Sequence, residues 1–107
     1  MSLIISIDAM GGDHGTDSTI PAALDCLREN SALHLIMVGD KNILEPLLKQ
    51  ALIDFSERLS IQHASECVAM DESPAKALRN KKDSSMRVAI NLVKDGRADA
   101  CVSAGNT

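Results

Sequence analysis

Three short segments of this 107-residue chain concentrate glycines, hydroxyls, acids and bases. The first is Asp8-Ala9-Met10-Gly11-Gly12-Asp13-His14-Gly15. Glycines directly after a strand let backbone amides approach a phosphate closely. Asp8, Asp13 and His14 add two acids and an imidazole, the groups that position a proton or a cation. A dinucleotide fingerprint would need glycine at 10, 12 and 15, and position 10 is Met. A Walker A loop is absent, because no Gly-Lys-Ser/Thr occurs. The same glycines would equally serve a tight turn feeding a helix, and as a metal site the group is incomplete.

The second segment is Arg79-Asn80-Lys81-Lys82-Asp83-Ser84-Ser85-Met86. Three cations precede a serine-capped helix start, where free amides and the helix dipole favour an anion. Ser84 and Ser85 can add hydroxyl donors, while a solvated basic turn with an ordinary cap is the competing reading. The third segment, Ser103-Ala104-Gly105-Asn106-Thr107, follows a short apolar run. Small residues with hydroxyl and amide donors suit an oxyanion or phosphate cradle. A lone Ser there is more often a turn residue than a nucleophile, and no Ser-His-Asp order supports a triad. His34, His63 and Cys101 read as structural, and Glu66, Asp71 and Glu72 as a solvated acidic loop.

Periodic elements must position these segments. Leu3–Asp8 reads as a strand buried on both faces, and Ile20, Ala23, Leu24 and Leu27 as one face of a helix ending near Asn30. Asp17 or Ser18 would cap that helix, with Pro21 in its first turn. Leu33–Val38 is a second strand, and residues 42–52 a helix with Leu44, Leu47, Leu48 and Ala51 facing the core. Pro46 fits the first turn of that helix. Residues 59–64 form a third strand, and Ser73 caps a short helix from Pro74 that turns Ala77 and Leu78 inward. Ser84 caps a last helix with a stripe of Met86, Ala89, Ile90 and Val93, closed by Gly96. Residues 98–102 are a fourth strand, expected to be buried. This alternation predicts an α/β fold with a mainly parallel sheet and flanking helices. The loops at 9–17, 39–41, 65–72 and 103–107 then gather on one rim, where α/β sheets bind ligands.

Composition narrows the function classes. Apolar residues make up 45% and charged residues 24%, which argues against a disordered chain. One Phe, no Tyr and no Trp leave an aliphatic core and no stacking platform for single-stranded nucleic acid. A net charge of −4 gives no broad nucleic-acid footprint. Cys26, Cys67 and Cys101 show no disulfide or zinc spacing and read as reduced cytosolic thiols. No apolar run approaches the roughly 18 residues of a membrane span.

Together the motifs resemble bacterial phosphate acyltransferases of the PlsX family. Ile7-Asp8-Ala9-Met10-Gly11-Gly12-Asp13-His14 looks like the opening of such enzymes. Lys82-Asp83-Ser84-Ser85-Met86-Arg87-Val88-Ala89 and Val102-Ser103-Ala104-Gly105-Asn106-Thr107 look like their next two signatures. Val38-Gly39-Asp40 and Met70-Asp71-Glu72-Ser73-Pro74 lie between them in the same order. Thr16 departs from the pattern, following Gly15 where a rigid proline is usual. The resemblance covers the whole chain as the N-terminal third of one α/β acyltransferase domain of the isopropylmalate dehydrogenase and phosphotransacetylase type. It implies transfer of a fatty acyl group from acyl-carrier protein to inorganic phosphate, in phospholipid synthesis. The acyl phosphate would then pass to a membrane glycerol-3-phosphate acyltransferase. It further implies a cytoplasmic homodimer with loose peripheral membrane association, no metal and no redox cofactor.

On that resemblance Asp13, His14 and Asn106 are the catalytic candidates. Gly11, Gly12, Lys82, Ser84, Ser85, Ser103, Gly105 and Thr107 are the phosphate- or substrate-binding ones. The competing readings are a phosphotransacetylase-like or dehydrogenase-like enzyme, or a folded piece that only binds ligand or carrier protein. Residues 1–107 alone are expected to be inactive, because nothing downstream closes a cleft over the substrate.

Overall fold

The computed structural model describes residues 2–11, 15–66 and 73–103, without the side chains of Pro74, Ala77 and Leu78. Strand β1 (Leu3–Asp8), helix α1 (Thr16–Glu29), strand β2 (Leu33–Gly39) and helix α2 (Lys41–Asp54) come first. A 3₁₀ turn (Ser56–Arg58), strand β3 (Leu59–His63), helices α3 (Pro74–Asn80) and α4 (Ser85–Lys94) and strand β4 (Ala100–Ser103) follow. All four strands pair in parallel in the order β3-β2-β1-β4. The chain therefore steps outward from β1 to β3 and then returns to β1's other side, so the strand order reverses between β1 and β4. A ligand crevice in an open α/β sheet opens at such a reversal.

Strand alternation sorts the core into two layers. Leu33, Leu35, Met37 and Leu59 pack with Ile20, Ala23 and Leu27 of α1 and with Leu44, Leu48 and Ala51 of α2. The opposite face carries Val38 and Ala64 against Ala89 and Leu92 of α4, with Ile4 and Ile36 beside them. Ser6, fully buried on that face, satisfies its hydroxyl by donating to the Ala89 carbonyl at 2.8 Å.

Local details differ from the sequence reading in physically instructive ways. Gly15, at φ 51°, occupies the N-cap position of α1, and no side chain caps the helix. Thr16, Asp17 and Ser18 are thereby drawn into the helix, and Pro21 moves from the first turn to the second. The helix start at Lys41 likewise puts Pro46 in the second turn, and Asp40 caps it by accepting the Asn42 amide at 2.9 Å. Leu47 points to solvent, 54% exposed, because Leu44, Leu48 and Ala51 already fill the side facing the sheet. In α4 the buried set is Ser85, Met86, Ala89 and Leu92, whereas Ile90 is 40% exposed. Ser73 does sit over α3, its hydroxyl accepting the Lys76 amide at 3.5 Å. Inward packing of Ala77 and Leu78 lies outside the described residues.

The outer strands depart most. Leu3 is exposed, so β1 is not buried along its whole length. Strand β4 spans Ala100–Ser103 and is an exposed edge, with Val102 54% exposed and Cys101 on the surface. It pairs with β1 alone among the described strands.

Candidate functional site

Parallel strands bring all four carboxyl ends to one rim, where hydrogen bonds join Asp8 to Ser103 and, separately, Ser65 and Glu66 to Asp83 and Ser85. At the end of β1, Asp8 is almost fully buried. Its Oδ2 accepts the Ser103 hydroxyl at 2.8 Å, a contact between residues 95 apart in sequence. Its Oδ1 accepts the Met10 amide at 3.2 Å. Asp8 and Ser103 are register partners at the ends of β1 and β4. This pair therefore marks the mouth of the crevice where the strand order reverses. Behind it Ala9 donates its amide to Val38 at 2.9 Å, and Thr19 of α1 donates its hydroxyl to the Ala9 carbonyl at 2.7 Å. The backbone leaving β1 is thus held from both sides.

The second cluster joins the loop after β3 to the start of α4. Ser65 donates its hydroxyl and, at 2.8 Å, its amide to Asp83 Oδ2. Glu66 donates its amide to the Asp83 carbonyl at 3.1 Å and accepts the Ser85 amide at 2.8 Å. The Ser84 hydroxyl accepts the Arg87 amide at 3.1 Å, so Ser84 is the N-cap the sequence indicates. Two of the first three helix amides are spent in these bonds. An anion at this terminus draws on fewer amides than an uncapped helix start supplies. Lys82 is exposed beside it. Ser85 Oγ is buried and has no hydrogen-bond partner among the described residues. A buried hydroxyl left unsatisfied costs about 1–3 kcal/mol.

The Ser65 bonds hold the Asp83 carboxyl below its ordinary value of 3.8; desolvation opposes this and the His63 charge adds to it. A depressed folded value means that the clasp stabilises the fold above the unfolded value and fades as pH falls through the folded one. The stability gap between the unmodified protein and Asp83→Asn should be flat above about pH 5 and shrink below about pH 3.8. Urea denaturation across that range checks it, and a gap that widens in acid would refute the clasp. His63 contributes nearby: its Nδ1 accepts the Lys41 amide at 3.0 Å, fixing the start of α2.

Of the candidates named from sequence, Gly11, Lys82, Ser84, Ser85 and Ser103 are described. Gly12, Asp13, His14, Gly105, Asn106 and Thr107 lie outside the described residues. Among those described, two hydroxyls are engaged within the protein. Ser103 gives its one proton to Asp8, so it does not donate to an oxyanion in this arrangement. Ser84 uses a lone pair as a cap. In the sequence Asp8 stands out only as one acid of its loop. The available signal for more is an acid ending an apolar strand, where solvent or a partner must satisfy it.

Among known proteins, a family model described as "Fatty acid synthesis protein" matches residues 3–107. The chain is 61% identical over 103 residues, 96% of its length, to a phosphate acyltransferase of Methylococcus capsulatus. It is 56% identical over 113 aligned positions, covering all of the chain, to phosphate acyltransferases of Francisella tularensis subsp. tularensis and Francisella philomiragia. It spans 30–32% of the length of these relatives.

Proposed function

The chain belongs to the fatty acid synthesis protein family, and we propose that the protein carrying it is a phosphate acyltransferase, which moves a fatty acyl group from acyl-carrier protein to inorganic phosphate. The observation that carries this reading is the 61% identity to the Methylococcus phosphate acyltransferase across 96% of the chain. The crevice chemistry supports it. Phosphate has to be held as a nucleophile against a thioester carbonyl, so that a C–O bond to phosphate forms as the C–S bond breaks. Lys82 supplies a cation at the rim, and the α4 dipole adds a partial positive charge. Asp13 or His14 adjusts the protonation of phosphate, and the Asn106 amide donates to the developing oxyanion.

In this reading acyl-carrier protein and inorganic phosphate are the substrates, and a membrane glycerol-3-phosphate acyltransferase consumes the product. The enzyme works in the cytoplasm as a homodimer, with peripheral contact to the membrane. Among the described residues no helix is long and apolar enough to cross a membrane.

Lys82→Ala in the full-length protein should raise the KM for phosphate about tenfold, the loss of one charge-assisted contact. The KM for acyl-carrier protein should stay within about twofold, because a phosphate contact is selective between the two substrates. Steady-state kinetics with each substrate varied checks both. An unchanged phosphate KM would remove Lys82 from the site.

A further inference from the structure

Asp8 is 2% exposed, a carboxylate buried at the strand end where the sheet order reverses. Its two donors among the described residues, Ser103 Oγ and the Met10 amide, are both neutral. A carboxylate offers about four lone-pair sites, so two such bonds leave acceptor capacity in a place where water is scarce.

The same face brings a second underused group to that level. Ser6 meets the Ala89 carbonyl of α4. Helix α4 runs from the rim, where Glu66 bridges Ser84, down to the other end of the sheet, where the Asp99 amide donates to the Ile4 carbonyl. Going back from Ala89 to Ser85 therefore climbs one turn toward the rim, about 6 Å. Going from Ser6 to Asp8 along β1 climbs about 6.6 Å in the same direction. Ser85 and Asp8 thus both lie about one step nearer the rim than the Ser6–Ala89 contact. Ser85 is 1% exposed, and its Oγ has no hydrogen-bond partner among the described residues. Among the described residues, a buried acceptor with spare capacity and a buried hydroxyl with no partner therefore lie toward the rim on the same face of the sheet.

The direction of the Asp8–Ser103 bond decides what fits between them. A serine hydroxyl has one proton, and here Asp8 takes it. Asp8 is therefore left as an acceptor that carries negative charge. It repels an oxyanion without protons and attracts one that bears a hydroxyl. Near neutral pH inorganic phosphate keeps a proton, whereas sulfate, of the same shape and size, has none.

We infer that the Asp8–Ser103 pair accepts the P–O–H proton of hydrogen phosphate and is the element by which this site distinguishes phosphate from sulfate. The pair acts in binding, and Ser85 Oγ donates to an oxygen of the same ion. This inference rests on the phosphate reading of the site given above.

The test uses the full-length protein, with acyl-phosphate formation followed while phosphate is varied against sulfate as competitor. Asp8→Asn keeps the shape but replaces an acceptor oxygen with an amide that can donate. The ratio of the sulfate inhibition constant to the phosphate KM should fall at least about tenfold, since a site built around a substrate hydroxyl otherwise rejects the analogue lacking it. Lys82→Ala should raise both constants together and leave the ratio within about twofold, because a cation attracts both anions. An unchanged ratio in a folded Asp8→Asn variant overturns the inference. Should that variant fail to fold, Ser103→Ala decides the question in its place: a lowered ratio supports the inference and an unchanged one ends it. Absence of any phosphate saturation in the unmodified protein would overturn the phosphate reading itself, and the inference with it.

Discussion

Leu48→Ala is expected to destabilise the protein by about 2–5 kcal/mol, while Leu47→Ala, one position earlier, changes stability by less than about 0.5 kcal/mol. Both leucines sit on the same helix, α2, in a run of similar residues. Leu48 is fully buried against the aliphatic layer formed with Leu35, Met37 and Leu59, whereas Leu47 is 54% exposed. Truncating Leu48 loses its transfer free energy and leaves a void that stiff β-strand neighbours fill poorly. With no Trp or Tyr and one Phe in the whole chain, few large side chains exist to swing into that void. Denaturant titration of the two variants checks the contrast. Equal losses would mean that α2 packs with the face read from periodicity alone.

That contrast shows what the sequence can and cannot specify. Element types are legible because each is dictated locally. The isoleucines of β1, the i, i+3, i+4, i+7 spacing of α1 and the Ser84 cap of α4 depend on near neighbours. The rotation of a helix about its axis depends on distant partners, so Leu47 and Ile90 read as inward although they face out. The exposure of β4 is hidden for the same reason. An apolar strand reads as central from its composition, but its exposure follows from having β1 alone beside it among the described strands.

The site is legible as a gathering of loops on one rim, since parallel strands force that placement. Its internal bonding is not. Ser103 meets Asp8 across 95 residues, and only the reversal of strand order brings them together. Ser65 and Asp83 meet across 18, with α3 between them. Both bonds decide which hydroxyls remain available for a ligand, and neither leaves a periodic trace in the sequence.

Arg58→Ala is expected to cost about 2–4 kcal/mol, the other large loss, and to leave the phosphate KM unchanged. Arg58 closes a junction at the end of the sheet opposite the motif loops. Its Nε donates to the Leu33 carbonyl at 3.0 Å and its NH2 group to the Leu27 carbonyl at 2.6 Å and to the Asn30 carbonyl. Its guanidinium also lies 5.7 Å from the centroid of the Phe55 ring. One side chain thereby satisfies the last turn of α1 and the first residue of β2. Bonds from a charged donor are worth more than neutral ones, though partial solvent access to these carbonyls reduces the sum. Arg58→Lys should recover less than half of the loss, because a single ammonium cannot reach carbonyls that a planar fork spans. Denaturation midpoints of both variants, paired with phosphate kinetics of the full-length protein, separate the two ends of the sheet. A shifted phosphate KM would show that the junction positions the rim as well as the fold. A loss below about 1 kcal/mol would show that water replaces the guanidinium without penalty.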